Sequence, residues 1–182
     1  MRVMKTLPAA ALCGLAVAAC VPNGAPRDAG AAPAVAEASA RLLDSGGRQL
    51  AAASAVQQGD GLRISVSATG IRPGSYGLHV HAVGRCDAPD FTSAGPHWNP
   101  TMRQHGSQNP QGAHRGDLPN LIVGANGQGE IAFTIPDARL SGGVGGMLDE
   151  DGAAIVVHAG PDDYRTDPSG NSGARIGCGV FG

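Results

Sequence analysis

All six histidines of the chain fall between positions 79 and 158. His79 and His81 lie in a run where Tyr76, Leu78, Val80 and Ala82 alternate with Gly77, His79 and His81. On a strand, both imidazoles project from one face while Val80 points to the other, so the pair can clamp one metal ion. Taken alone, such a pair fits an exposed sheet face equally well. A second group, His97, His105, His114 and Asp117, is spaced at increments of eight, nine and three. Three imidazoles and one carboxylate fill a tetrahedral site, and a closed four-ligand set suits structural zinc; the bland alternative is a solvated polar loop. His158 ends the apolar run Ala153–Val157, where a histidine can also be a simple edge residue. A zinc hydrolase would need an open metal position and a Glu base, but the sequence has no H-E-x-x-H and no Glu beside a His.

The elements that must position these groups read as strands. Ala38, Ala40 and Leu42 alternate with small or polar neighbours, as do Leu50, Ala52 and Ser54. Leu62, Ile64, Val66 and Ala68 alternate strictly with Arg63, Ser65 and Ser67, after a hairpin signal at Gly59-Asp60-Gly61. The 76–82 run is a fourth strand, and shorter ones are expected near 120–124, 129–135, 153–158 and 174–181. No stretch carries a capped helical period. The class is therefore all-β, an eight-stranded sandwich or flattened barrel. Between Val83 and Leu118 there is no periodicity, yet His97, His105, His114, Asp117 and Cys86 all lie there. Structureless loops beyond about 12–15 residues are uncommon in compact domains. Either the segment is disordered, or metal and disulfide hold it down.

Only 3% of the 182 residues are aromatic, a thin core that calls for covalent or metal cross-links. The net charge of −2, with Lys5 the only lysine, offers no basic face for nucleic acid. Residues 1–19 read as an export signal: Arg2 and Lys5 precede an apolar stretch from Leu7 to Ala19, too short for a spanning helix. The stretch ends in Val17-Ala18-Ala19-Cys20, which resembles the bacterial lipobox. In that pattern Cys20 is acylated and anchors the chain to a membrane surface; an ordinary cut after Ala19 would leave it free. Residues 20–36, rich in Ala, Pro and Gly, read as a tether, leaving 37–182 as the domain. An oxidising cell-envelope or periplasmic location follows. Cys86 and Cys178 can then form one disulfide, adding about 4–5 kcal/mol in the chain-entropy model, or remain two buried thiols.

Six motifs in order carry a family resemblance. They are Gly77-Leu78-His79-Val80-His81; Ser93-Ala94-Gly95-Pro96-His97-Trp98-Asn99-Pro100; Gln104-His105-Gly106; His114-Arg115-Gly116-Asp117; Val156-Val157-His158; and Gly173-Ala174-Arg175-Ile176-Gly177-Cys178-Gly179. With these, residues 37–182 closely resemble the copper-zinc superoxide dismutases in their bacterial envelope, lipoprotein-type form. The resemblance implies a Greek-key barrel with a long metal-binding loop. It implies His79, His81, His97 and His158 as copper ligands, and His97, His105, His114 and Asp117 as zinc ligands, with His97 bridging. It also implies a Cys86–Cys178 disulfide, Arg175 as the cation that attracts the anionic substrate, and Asp162 as a carboxylate linking a copper histidine to a zinc histidine.

The implied reaction is disproportionation of superoxide to O2 and hydrogen peroxide by Cu(II)/Cu(I) cycling, with the His97 bridge opening on the copper side to take a proton. Because the chain is net negative, capture of the anion must come from a local field. The segment between His158 and Arg175 is short, with Asp162, Asp163, Arg165 and Asp167 in place of the acidic and lysine pattern of eukaryotic relatives, and residues 87–91 are inserted. Long-range guidance and oligomeric state therefore do not transfer, and a homodimer stays open. The rival reading is a non-enzymatic copper and zinc carrier of the same fold. Carriers commonly lack a copper ligand or add a thiol motif, whereas here all seven ligand positions are filled.

Overall fold

A computed structural model describes residues 37–142 and 145–182 of the chain. The expected export signal (1–19), Cys20 and the expected tether (20–36) lie outside the described residues. The described residues form nine strands: β1 Glu37–Leu43, β2 Gln49–Gln58, β3 Gly61–Ala68, β4 Gly74–Tyr76, β5 Leu78–His81, β6 Leu121–Val123, β7 Gly129–Ile135, β8 Ala154–His158 and β9 Arg175–Val180. A single 3-10 turn at Thr92–Ala94 is the sole helical element among the described residues. The all-β class holds.

A seven-stranded antiparallel sheet runs β5-β8-β9-β1-β2-β3-β7, and β4 pairs with β6. The expected fourth strand is one extended run broken at Gly77, and that break turns eight strands into nine. Before Gly77 the run pairs with β6; after it, the run pairs with β8. At the switch, Gly77 donates to Gly160 O (2.8 Å) and accepts from His158 N (2.9 Å), and a Cβ there would sit 2.7 Å from Ser172 Cβ. At the other edge, the β6–β7 hairpin sets Gly129 so tightly against β6 that a Cβ would lie 2.6 Å from Ile122 O. The two sheets thus meet at both edges, closing a flattened Greek-key barrel.

Alternation builds the core. Leu62, Ile64 and Val66 face inward, with Ile64 set between Ala55 of β2 and Phe133 of β7; each such aliphatic side chain contributes about 1.5–3 kcal/mol on burial. The phase expected over Leu50, Ala52 and Ser54 shifts. The pairing jumps from Leu42–Ala51 to Leu43–Gln49, so Leu50 is the extra residue of a β-bulge and Ala51, Ala53 and Ala55 face the core.

Strand β8 is buried on both faces. Ile155 and Val157 enter the main core, while Ala154 and Val156 pack with Phe91, Ala94 and Cys178 in a smaller second cluster. That second cluster lies under the Val83–Leu118 segment, which is ordered. The Cys86–Cys178 disulfide joins the segment to β9. Backbone bonds run it along the free edge of β5: Val80 N to Gly116 O (2.9 Å), Trp98 N to Val80 O (2.8 Å) and Ala82 N to Pro96 O (2.9 Å). An otherwise unpaired strand edge is thereby covered. Gly116 is required here, because a Cβ would meet Val80 O at 2.2 Å.

The disulfide closes a loop with a sequence separation of 92, so its loss releases much denatured-state entropy. Replacing Cys86 by Ser together with Cys178 by Ala is expected to lower unfolding free energy by about 2–5 kcal/mol. A urea titration checks this through its midpoint; an unmoved midpoint refutes it.

Candidate metal centre

The barrel and its covering loop bring all six imidazoles into one cluster. His79 and His81 leave the outer face of β5, opposite Leu78 and Val80, which enter the core. His158 ends β8. The loop delivers His97, paired across a backbone bridge with His81, and Asp117, paired across another with His79. The His97 ring sits at the middle, with centroids 4.0 Å from His79, 4.9 Å from His81, 5.3 Å from both His105 and His114, and 6.3 Å from His158.

In most of these rings one nitrogen is committed to an oxygen. His81 Nδ1 donates to Gly95 O at 2.8 Å and His158 Nδ1 to Gly173 O at 3.1 Å. His79 Nε2 reaches Asp162 Oδ2 at 2.9 Å, and His105 Nε2 reaches Asp162 Oδ1 at 3.0 Å. His97 Nδ1 faces Asp117 Oδ1 at 2.9 Å. The remaining nitrogens, His79 Nδ1, His81 Nε2, His97 Nε2, His105 Nδ1 and His158 Nε2, are buried with no hydrogen-bond partner. An unpartnered buried polar atom is costly, so five in one place mark donors aimed at something other than protein.

The donors fall into two sets. Those of His79, His81, His97 and His158 all lie within 4.8 Å of one another, an imidazole-rich set of the kind that suits copper. The second set surrounds Asp117 Oδ1, which lies 2.9 Å from His97 Nδ1, 3.0 Å from His105 Nδ1 and 3.2 Å from His114 Nδ1. The His105 contact is close but lies off the hydrogen-bond axis, so His105 Nδ1 stays unpartnered. Distance alone also groups His79 with His97, His105 and Asp117. With His79 Nε2 held by Asp162, however, its free nitrogen is Nδ1, which belongs to the copper-type set, whereas His114 Nδ1 stands 3.2 Å from Asp117 Oδ1 and 3.3 Å from His97 Nδ1. His114 is therefore the fourth member. Edges near 3 Å match a tetrahedron of zinc bonds, for which about 2.0 Å per bond gives edges of about 3.3 Å. The residues fit both metals, and His97 turns one nitrogen to each set.

Electrostatics separates the two sets further. Burial, aided by the neighbouring rings, lowers His79 to about 3, His81 to about 2 and His158 to about 4, so the copper-type set is neutral and its lone pairs are free. Burial also works against charge on His105, but Asp117 and Asp162 on its two sides outweigh it and raise the ring to about 9. Burial pushes the Asp117 and Asp162 carboxyls up; their imidazole partners win and hold both well below the usual carboxylate range.

Several partners have no signature in the sequence motifs. Asn120 clamps Asp162 in both directions, accepting from its N–H (2.8 Å) and donating to its carbonyl (2.9 Å). Tyr164 N–H binds Asp162 Oδ1 at 2.6 Å, and Asp167 Oδ1 accepts from His105 N at 2.6 Å. The carbonyls of Gly95 and Gly173 are backbone atoms that any residue type would offer. At Gly95, φ 73 and ψ −157 form a conformation essentially restricted to glycine.

A cleft of about 790 Å³ opens over the cluster, lined among others by His81, His97, His158 and Arg175. Arg175 is fixed by two bonds, Nη1 to Phe91 O (2.7 Å) and Nη2 to Gly95 O (2.8 Å). Gly95 O thus holds both His81 and the guanidinium.

The sequence model of copper/zinc superoxide dismutase (SODC) matches residues 50–181. "Superoxide dismutase-like protein YojM" of Bacillus subtilis (strain 168) is 51% identical over 124 residues, covering 67% of this chain and 63% of that protein, under two thirds of its length. "Superoxide dismutase [Cu-Zn] 1" of Aquifex aeolicus is 38% identical over 143 residues, 78% of this chain and 85% of that one. A crystal structure of a SOD-like protein from Bacillus subtilis superposes with a TM-score of 0.74 at 44% identity, covering 78% of this chain and 96% of that chain.

Two outcomes follow from the geometry. Zinc entering the metal-free protein near about pH 7.5 must expel the His105 proton, releasing about one proton per ion. Zinc affinity therefore rises with pH, by about tenfold per unit, and levels off above about 9. Calorimetry in buffers of contrasting ionisation heat counts the proton; a count of zero refutes the assignment. Asn120→Ala frees Asp162, which orients a ring in each set, and should weaken both zinc and copper by about 10–100-fold in chelator competition. Unchanged affinities would sink that role.

Proposed function

The chain belongs to the copper/zinc superoxide dismutase family, and on that premise we propose that it disproportionates superoxide. Two superoxide anions and two protons give one O2 and one hydrogen peroxide. The observation that carries the reading is the shared cleft, where one fixed guanidinium and three rings of the copper-type set face a single opening.

In this reading His79, His81, His97 and His158 hold copper, and His97, His105, His114 and Asp117 hold zinc. Bound copper supplies the one-electron couple that superoxide alternately reduces and oxidises, while zinc, without redox chemistry, fixes positive charge beside His97. The chain's own residues do the rest. Arg175, permanently charged and planar, draws the anion into the cleft and orients it; its bonds to Phe91 O and Gly95 O leave it no freedom to follow the product out. Gly95 O and Gly173 O keep the His81 and His158 rings from rotating. His97 keeps Nδ1 on the Asp117 side, so its second nitrogen, Nε2, is the atom that takes a proton and hands it to the departing peroxide. Asp162 couples the two sets by orienting His79 and His105 together.

The carrier reading is disfavoured by burial. A carrier must surrender its metal, whereas the copper-type residues are buried at the floor of the cleft and their rings are locked by Asp162, Gly95 O and Gly173 O. We further assign the protein to the cell envelope, held to a membrane by lipid on Cys20 alone, where it would meet superoxide outside the cytoplasm.

The test pairs metal content with rate. Arg175→Gln should leave copper and zinc content unchanged while kcat/KM for superoxide falls by about tenfold or more and loses much of its salt dependence. Chelating copper should remove the visible absorption and the activity together. Full metal content with no superoxide consumption would overturn the enzymatic reading in favour of the carrier.

A further inference from the structure

A second cavity, of about 440 Å³, opens beside the zinc-type set; it shares Arg103 and His114 with the copper-side cleft, while Arg115, Thr101 and Ser107 line it and not that cleft. Its walls carry donors: Arg103, Arg115, Thr101 and Ser107, together with the His114 ring, over an apolar floor that includes Phe133. Asp117 also lines it, but its oxygens are already engaged. Oδ1 faces His97 and His114, and Oδ2 accepts from the amides of Gly106 and His114. Among the described residues the arginine–carboxylate pairs are Arg48–Asp44, Arg85–Asp87 and Arg139–Asp60. Neither Arg103 nor Arg115 has a carboxylate of the described residues within ion-pair distance.

Both guanidinium groups are held rather than loose. Arg103 Nη1 donates to Gly112 O at 3.2 Å, and Asn99 clamps the Arg103 backbone, accepting from its N–H at 3.0 Å and donating to its carbonyl at 2.7 Å. Arg115 Nη1 donates to Pro136 O. Each anchor uses one nitrogen of a five-donor fork and leaves the others for a ligand. Two forks and two hydroxyls around one cavity, in a chain whose net charge is −2, make a local anion site that bulk charge does not explain. The volume leaves ample room for a tetrahedral oxyanion, whose several oxygens suit guanidinium donors on more than one wall.

We propose that this zinc-side cavity binds a small oxyanion of the phosphate class between Arg103 and Arg115. The experiment is a calorimetric titration of the copper- and zinc-loaded protein with inorganic phosphate at low ionic strength. Saturable binding is expected, weakened by about tenfold or more in Arg115→Gln and in Arg103→Gln, less in Arg115→Lys, which keeps charge without the fork. Arg175→Gln, at the other cleft, should leave it unchanged. A parallel titration with phenyl phosphate separates the sources: binding with the same losses indicates a phosphate ester, and rejection indicates free phosphate. Absence of saturable binding overturns the proposal. So does loss in Arg175→Gln or Arg103→Gln with none in Arg115→Gln, because the anion would then sit in the substrate cleft that Arg103 also lines. Arg115→Lys keeps the test valid should the glutamine variant fail to fold.

Discussion

Five buried imidazoles can share one small volume because each ring has one nitrogen tied to an oxygen. In the neutral rings that commitment fixes the tautomer, and with it the direction of the remaining lone pair; in His105, charged between Asp117 and Asp162, it fixes which nitrogen is bared when the proton leaves. Asp162 ties two rings, Asp117 faces three, and the carbonyls of Gly95 and Gly173 take one each. Without these acceptors the rings would carry disordered protons, and no metal would find its donors aligned. Burial acts in the same direction by disfavouring charge on His79, His81 and His158. The protein invests polar groups in its interior that only metal completes.

The barrel supplies this arrangement through strand periodicity. Because Leu78 and Val80 enter the core, His79 and His81 must leave the opposite face, and that face would be solvent-exposed if the Val83–Leu118 segment did not return over it. The return depends on β5 being an edge strand: its free backbone groups pair with Trp98 and Gly116, and that pairing lays His97 and Asp117 across the two β5 histidines. The disulfide holds the same segment at its start, above the Ala154–Val156 cluster. Regular structure and irregular loop are therefore one construction.

The legible parts of the sequence were those with side-chain periodicity or chemistry. Strict alternation over Leu62–Ala68 marked β3, and the clustering of every histidine in one span marked the centre. The Leu50 bulge was invisible because Ala51 to Ala55 offers almost no contrast between faces, so phase could not be read from residue type. The break at Gly77 was hidden for a related reason, since changing partner alters backbone pairing but not side-chain alternation. Asn120 carried no signal at all. It acts by imitating backbone toward Asp162, 42 residues away, and an isolated Asn in a loop ordinarily reads as a turn former.

Charge distribution governs how the cleft would meet an anion in the proposed reaction. In a chain of net charge −2, an anion arriving from bulk solvent meets weak repulsion, and the Debye length of about 8 Å at physiological salt confines any attraction to the immediate surroundings of a cation. In the proposed reaction Arg175 would meet that condition, because its guanidinium is held in place. Both terminal nitrogens are bonded to loop carbonyls, and one of those carbonyls also orients His81. Cation and imidazole therefore move together or not at all. A lysine lacks the planar fork whose two separate terminal nitrogens here reach Phe91 O and Gly95 O. Guanidinium at this position is thus a requirement of geometry as much as of charge.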